Sequence, residues 1–485
     1  MASTRLSGRR TVAAAAAYSG GFIVQKAIGM ILLPFYTRAI SPAQYGLLGV
    51  LMSLSMAANV IFSVGMDTAV TRNYFQMARD PAARQSYIDS VWRALVVFPL
   101  ALAVVLSLVV WPFVTNLGSV SESEVALMLA SSALNVAATT LPFAVLRARQ
   151  DLRAYLILTA VLALLTPALT WVFVIVVHDG VEGWFLAAAI ANAATLMTAF
   201  VIVPWHRRGK YEWRYVQMSV IFSLPLMPHF LSHWALQVAD RLVISSMVTA
   251  SSLGVYTLAA NLAAPQFALL QALNSAFLPS YGRAGADPQH EEELTRVVVL
   301  QIASVVAVTL AAALIGPSAV TILAPRGYHY AASLIPWLAL GNGFVGLYFV
   351  PMNGATVGAG RRKFAFIATM TSALTNIALL YIFVPSGGIY AAAVADAAAF
   401  LVLLVLMSGW ARLRPTPVHY RWNPIFGAVA IASAAYVGCL LTTPDGKWPG
   451  LLCRCAWTLL GTLGVGFPYL RRRAATLSLK RRRFA

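Results

Sequence analysis

Residues 224–247 read LPLMPHFLSHWALQVADRLVISSM, a run apolar enough to cross a bilayer that nevertheless carries His229, His233, Gln237, Asp240 and Arg241. An ionisable side chain at membrane depth costs at least ~2.5–3.5 kcal/mol on insertion scales, so it is rarely idle. At about 100° per residue, His229, His233, Gln237 and Asp240 fall within a stripe roughly 80° wide, with Arg241 beside it. That pattern predicts a helix with one side facing water inside a protein and the remainder facing lipid or other helices.

Composition extends this reading to the whole chain. Of 485 residues, 60% are hydrophobic and only 11% charged, against roughly 45–50% and 25% in a soluble globular domain. Apolar segments of spanning length recur near 14–36, 45–66, 90–113, 124–146, 154–177, 184–204, 218–247, 254–277, 295–316, 332–357, 364–384, 389–410, 424–442 and 451–470. The expected fold is therefore an all-α polytopic membrane protein of about 14 transmembrane helices. Pro34, Pro99, Pro142, Pro167, Pro225 and Pro265 fall inside these segments, where neighbouring helices and waters re-satisfy the freed backbone groups. The start resembles a signal peptide, but its apolar run continues to Phe35. That is too long for a signal h-region of ~7–15 residues, and an uncleaved first span is expected.

The net charge is +19, which on a soluble protein would point to nucleic acid. Placement argues otherwise. With an N-in, C-in topology, all of the 35 Lys and Arg except Lys26, Arg38, Arg241, Arg326, Lys447 and Arg454 fall on the inside, as the positive-inside rule requires. The positive charge then faces the cytoplasm and the anionic inner leaflet, so membrane lipids and not nucleic acid are the expected surroundings. Outside loops are short, the longest being 317–331. Any function must lie among the helices.

An internal repeat is visible. Ser41-Pro-Ala-Gln-Tyr-Gly46 precedes the second span and Thr249-Ala-Ser-Ser-Leu-Gly254 precedes the eighth, each a hydroxyl residue five positions before a glycine. Two parallel six-helix lobes follow, at 1–216 and 217–414, with two extra helices and a basic tail at 415–485.

Several polar residues then stand out as candidates. Gln25 and Lys26 lie mid-way along the first span, too deep for the lysine to snorkel easily; it can bind an anion or pair with a carboxylate. Asn59, Ser63 and Asp67 form an i, i+4, i+8 stripe in the second span with Arg72 one turn beyond, an arrangement for either an ion pair or a gate. Asp240 and Arg241 are sequence neighbours, which do not face each other on a helix, so at least one is expected to pair across helices. His229 and His233 lack the intervening carboxylate of a zinc-binding H-E-x-x-H pair and fit polar cavity lining better than metal. Asp396, within AAAVADAAAF, is flanked by small residues that permit close packing. Cys439, Cys453 and Cys455 have no histidine at ligand spacing and are expected to be small apolar fillers. No nucleotide-binding G-x-x-x-x-G-K-[ST] loop is present, which argues against direct ATP use.

Two lobes with cations facing a cavity suit an anionic substrate. A drug or cation antiporter on the same plan would line its first-lobe cavity with Asp or Glu, and the first helix has neither.

Three stretches carry a family resemblance: LPFYTR at 33–38, S-P-x-x-Y-G at 41–46 and G-M-D-x-A-x-x-R at 65–72, echoed in the second lobe by Ala239-Asp-Arg-Leu-Val-Ile244 and Leu253-Gly-Val-Tyr256. The chain resembles the polysaccharide transporters, which translocate lipid-linked oligosaccharides for O-antigen or exopolysaccharide synthesis within the multidrug/oligosaccharidyl-lipid/polysaccharide (MOP) exporter superfamily. The resemblance implies a non-enzymatic flippase of a bacterial cytoplasmic membrane, without cofactor. It would move an undecaprenyl-diphosphate-linked oligosaccharide outward by alternating access, with a glycan polymerase and chain-length proteins as possible partners. A diphosphate needs positive partners, and Lys26, Arg241 and Arg72 are the available ones. Gln25, His229, His233 and Gln237 would line the same path, while Asp67, Arg72, Asp240 and Asp396 would pair or gate. A multidrug antiporter or peptidoglycan-precursor flippase on the same fold is the alternative. A membrane-embedded glycan polymerase is a third reading, disfavoured by the lack of a large outside loop.

Overall fold

The computed structural model of the chain describes residues 28–77, 79–114, 120–202, 210–286, 291–358, 363–413, 422–444 and 447–483. Among them every regular element is helical: α1 (Ile28–Ala39), α2 (Pro42–Ser63), α3 (Met66–Gln76), α4 (Pro81–Val114), α5 (Glu122–Arg149), α6 (Leu152–Thr170), α7 (Gly180–Ile202), α8 (Trp213–Ser223), α9 (Met227–Ser245), α10 (Ala250–Ala286), α11 (Glu291–Leu323), α12 (Ala331–Asn353), α13 (Lys363–Arg412), α14 (Trp422–Thr442) and α15 (Lys447–Arg483). Ten helices among the described residues are long and apolar enough to cross a membrane, fewer than the fourteen expected spans. The chain is a multi-pass membrane protein.

Part of the difference in count lies in α13, which contains two expected spans. Gly388 interrupts it with φ 57° and ψ −149°. On its two sides Ser372 Oγ donates to the Ala399 carbonyl at 2.6 Å and Asn376 Nδ2 to Asp396 Oδ1 at 3.2 Å. In a straight helix Asn376 and Asp396 would stand about 30 Å apart, so the two halves fold back as an antiparallel pair hinged on Gly388. A different correction applies to 218–247. Instead of one helix, α8 and α9 are joined by a 3-10 turn at Leu224–Leu226, because Pro225 and Pro228 each remove a backbone donor and interrupt the ladder. The second span is likewise broken, at Val64 and Gly65, both left-handed.

The chain divides into two compact units, Met1–Gly254 and Val255–Ala485. Within the first, α8 packs on α3 and α4, and α9 packs on α2. In the first unit α5 is the most enclosed helix, built from small residues such as Ser131, Ser132, Ala133, Ala137 and Ala138, which let neighbours approach closely. Ser55 and Ser132 share a 2.7 Å hydrogen bond, and Trp92 stacks on Phe200 while its Nε1 donates to the Ala137 carbonyl. The base of α3, α4 and α8 is joined by a buried relay in which Asn73 donates to the Tyr87 hydroxyl at 3.2 Å and that hydroxyl meets Ser219 Oγ at 2.9 Å.

In the second unit α12 lies between α11 and α13. Gln266 Nε2 donates to the Ala339 carbonyl at 2.9 Å, and Asn342 Nδ2 to the Ala263 carbonyl at 3.2 Å. A second amide cluster links Tyr281, Gln301, Asn274 and Asn353. Cys439 is buried against Leu310 and Leu314, as a small apolar filler would be, whereas Cys453 and Cys455 are only half-buried.

Candidate functional site

The ion pair that drew attention in the sequence sits near the C-terminal end of α9. Asp240 and Arg241 are 8% and 9% exposed, and Ser245 ends the helix about 6–8 Å further along its axis. The two sequence neighbours contact each other. The Asp240 carboxylate accepts the Arg241 backbone N–H at 2.8 Å and lies 3.6 Å from the Arg241 guanidinium. A short carboxylate can turn along the helix axis, and the long arginine stem folds back to meet it. α9 is fixed to α2 by Trp234, whose Nε1 donates to the Ser53 carbonyl at 2.9 Å. The backbone of α9 carries His229, His233 and Gln237, but their side chains lie outside the described residues, as do Gln25 and Lys26 altogether.

The repeat motifs acquire a structural meaning in the first unit. Ser41 is the N-cap of α2, with a capping box closed by Gln44 and Pro42 at the first helical position. Thr249 stands in the same place before α10, where its Oγ1 accepts the Ser252 N–H at 3.2 Å. Each hydroxyl satisfies donors that a helix start leaves open. The glycines five residues on, Gly46 and Gly254, touch. A Cβ on Gly46 would lie 2.9 Å from the Gly254 nitrogen and overlap the Ala250 carbonyl. One on Gly254 would lie 3.0 Å from the Gly46 nitrogen and overlap the Pro42 carbonyl. Only glycine fits on either side of this helix crossing. The sequence signal, two glycines at one repeat offset, was present, but nothing in it said they meet.

The remaining candidates separate. Asp67 belongs to the first turn of α3, beyond the break at Val64 and Gly65, so the Asn59, Ser63, Asp67 stripe is not continuous. Its partner is Arg147 of α5 at 2.9 Å, not Arg72. With 58% and 44% of the two side chains exposed, the pair is screened, and Asp67→Ala should change unfolding stability by no more than about 1 kcal/mol. Thermal unfolding in detergent measures this; a loss several times larger would mean the pair is buried in the working protein. Arg72 lies over the Phe222 ring, 4.3 Å from its centroid. Asp396 accepts from Asn376 inside the α13 pair and stays within the second unit. Sequence reasoning passed over Asp89, which is fully buried in α4 and accepts from Gln85 at 3.2 Å. It reads in sequence as an ordinary polar residue near a helix start.

The second unit also holds an apolar cavity of about 720 Å³ bounded by α11, α12, α13 and α14, with Val305, Leu340 and Val437 on its walls. Trp337 and Tyr390 lie at its edge, joined by a 2.7 Å hydrogen bond.

The family model described as "Polysaccharide biosynthesis protein" matches residues 35–334. The chain belongs to that family. It is also 22% identical over 286 residues to Lsg locus putative protein 1 of Haemophilus influenzae, a match covering 55% of this chain and 65%, just under two thirds, of that relative's length. Among solved structures, the lipid II flippase MurJ in its inward closed conformation superposes with a TM-score of 0.75 at 13% identity, covering 94% of this chain and 99% of that one. An inward-facing multidrug resistance MATE transporter of the MOP superfamily gives a TM-score of 0.66 at 15% identity, covering 80% and 94%. The chain shares the fold of these two solved structures.

Proposed function

We propose that this member of the polysaccharide biosynthesis family is a flippase for an undecaprenyl-diphosphate-linked oligosaccharide. It would work by alternating access in a bacterial cytoplasmic membrane, with both termini inside and two six-helix lobes related by the 208-residue repeat offset. The observation that carries the reading is a buried arginine, Arg241, in an apolar helix of a chain in this family. A substrate diphosphate needs cations in a low-dielectric path, and a guanidinium meets phosphate oxygens with paired donors. Lys26 is the corresponding cation of the first lobe. Arg241, close to the outer end of α9, would act where the diphosphate leaves, while Asp240 holds its geometry. No carboxylate precedes Asp67 in the sequence, and Asp67 is engaged by Arg147, an arrangement that favours an anion over a cationic drug. The apolar cavity beside α14 would suit the polyprenyl chain. The glycan would serve O-antigen, exopolysaccharide or capsule assembly, feeding a polymerase and its chain-length partner outside.

The test is a deletion strain complemented with wild type or Lys26→Ala. Deletion and Lys26→Ala should both remove surface glycan and leave lipid-linked repeat units on the inner leaflet, with drug susceptibility unchanged. Intact surface glycan with altered drug susceptibility in the deletion strain would replace this reading by a multidrug antiporter.

A further inference from the structure

A second cationic feature of the first unit is independent of the α9 ion pair. Where α3 and α8 pack, above the buried Asn73, Tyr87 and Ser219 relay, a cleft of about 650 Å³ opens between them. Its polar end is formed by Arg72, Arg214 and Gln217, and its apolar end by Met218, Ile221 and Phe222. Among the described residues its lining holds no carboxylate, and Glu212 flanks it through Arg214. The Arg72 guanidinium is held over the Phe222 ring at 4.3 Å, a cation–π contact that fixes the charge without neutralising it. Arg214 donates through Nε to Glu212 at 2.6 Å and through Nη2 to the Tyr215 hydroxyl at 3.1 Å, which engages two of its five donors. Arg84, over the Tyr74 ring at 5.0 Å, adds a further positive charge to the α3 and α4 side.

The exposed face of α8 and of the turn that follows it carries a gradient along its length. Trp213, Arg214 and Gln217 come first, then Ile221 and Leu224, which are 69% and 56% exposed. Aromatic and basic residues followed by bare aliphatic ones mark a helix passing from the headgroup level into hydrocarbon. The cleft spans that boundary, with its cations at the headgroup end and its aliphatic wall at the acyl end. A ligand matching both ends is an anionic phosphate carried on hydrocarbon.

We propose that the Arg72–Arg214 cleft binds the phosphodiester head of an anionic glycerophospholipid from the inner leaflet. The cleft does not include Asp240 or Arg241, and of the functional reading the inference uses only the N-in topology. The cleft's aliphatic wall, open at the exposed face of Ile221, suits the acyl chains of a bilayer lipid, and the polyprenyl lipid is the competing occupant that the test separates.

The full-length protein in phosphatidylcholine nanodiscs containing phosphatidylglycerol, examined by native mass spectrometry, tests the proposal. Wild type should retain phosphatidylglycerol in preference to phosphatidylcholine. Arg72→Gln/Arg214→Gln should weaken that retention roughly 30-fold, given the usual attraction of two surface cations for anionic lipid. Arg153→Gln, an exposed cation of α6 away from the cleft, should leave retention unchanged. Arg72→Lys/Arg214→Lys should restore much of it, which also guards against a folding defect in the glutamine variant. Unchanged phosphatidylglycerol retention in the glutamine variant overturns the proposal. So does an equal loss of both phospholipids, which would make the cleft merely apolar. With undecaprenyl diphosphate added to the same nanodiscs, loss of its retention in the glutamine variant while phosphatidylglycerol retention stays intact would assign the cleft to the substrate instead.

Discussion

Valine at Gly254 or at Gly46 should lower the melting temperature sharply and abolish export of the surface glycan. The two glycines meet where the first turns of α2 and α10 cross, and a Cβ on either would overlap a backbone carbonyl, Pro42 for Gly254 and Ala250 for Gly46. Overpacking a core of side chains costs about 1–3 kcal/mol because neighbours can shift rotamer. A carbonyl inside a capped helix start has no such freedom, so the helices themselves must separate and the cost should exceed that range. Alanine already supplies the clashing atom and should show most of the destabilisation. Loss of export is expected because α2 and α10, once displaced, would no longer be held in register. Melting curves in detergent together with surface glycan staining test the two parts separately. Valine variants that melt like wild type would mean that the crossing is not closed in the working protein. Variants that lose stability but keep full export would confine the glycines to a structural role.

The second large effect is expected at Asp240 and Arg241. Removing one member of a buried ion pair takes from the other its charge partner in a low-dielectric setting, at about 3–5 kcal/mol. Asp240→Ala and Arg241→Ala should each destabilise the protein by that order. Asp240→Asn/Arg241→Gln, which leaves no net charge, should recover most of the loss. Export separates structure from function: if Arg241 binds the diphosphate, the neutral double variant folds but does not export. A double variant that is both stable and active would reduce the pair to a clamp that fixes α9. Because the two residues couple strongly, the single effects should not add, and the full cycle is the informative measurement.

Much of the architecture could be read without coordinates. Apolar length alone marked the helices, since a chain in lipid must satisfy its backbone groups within each segment. The positions of Gly388 and of the Pro225 and Pro228 turn were visible as residues but not as events. Whether a glycine reverses the chain or a proline merely bends it depends on the tertiary packing on either side, such as the Asn376 to Asp396 contact. Intramembrane charges were conspicuous because hydrocarbon penalises them, whereas their partners were not. Asp67 sits five residues from Arg72 in the sequence but pairs with Arg147, 80 residues away. Arg72 instead uses an aromatic ring from α8.

By itself, then, the sequence determined a helical membrane protein, the family to which it belongs and the residue types able to meet an anion, because helix length, hydrophobicity and capping hydroxyls are local properties. Tertiary structure alone decided that Gly46 meets Gly254, that Asp240 turns to its own neighbour Arg241, and that Arg72 and Arg214 share a cleft. Contacts of that kind depend on which helix faces lie against each other, and a one-dimensional pattern of polarity does not specify them.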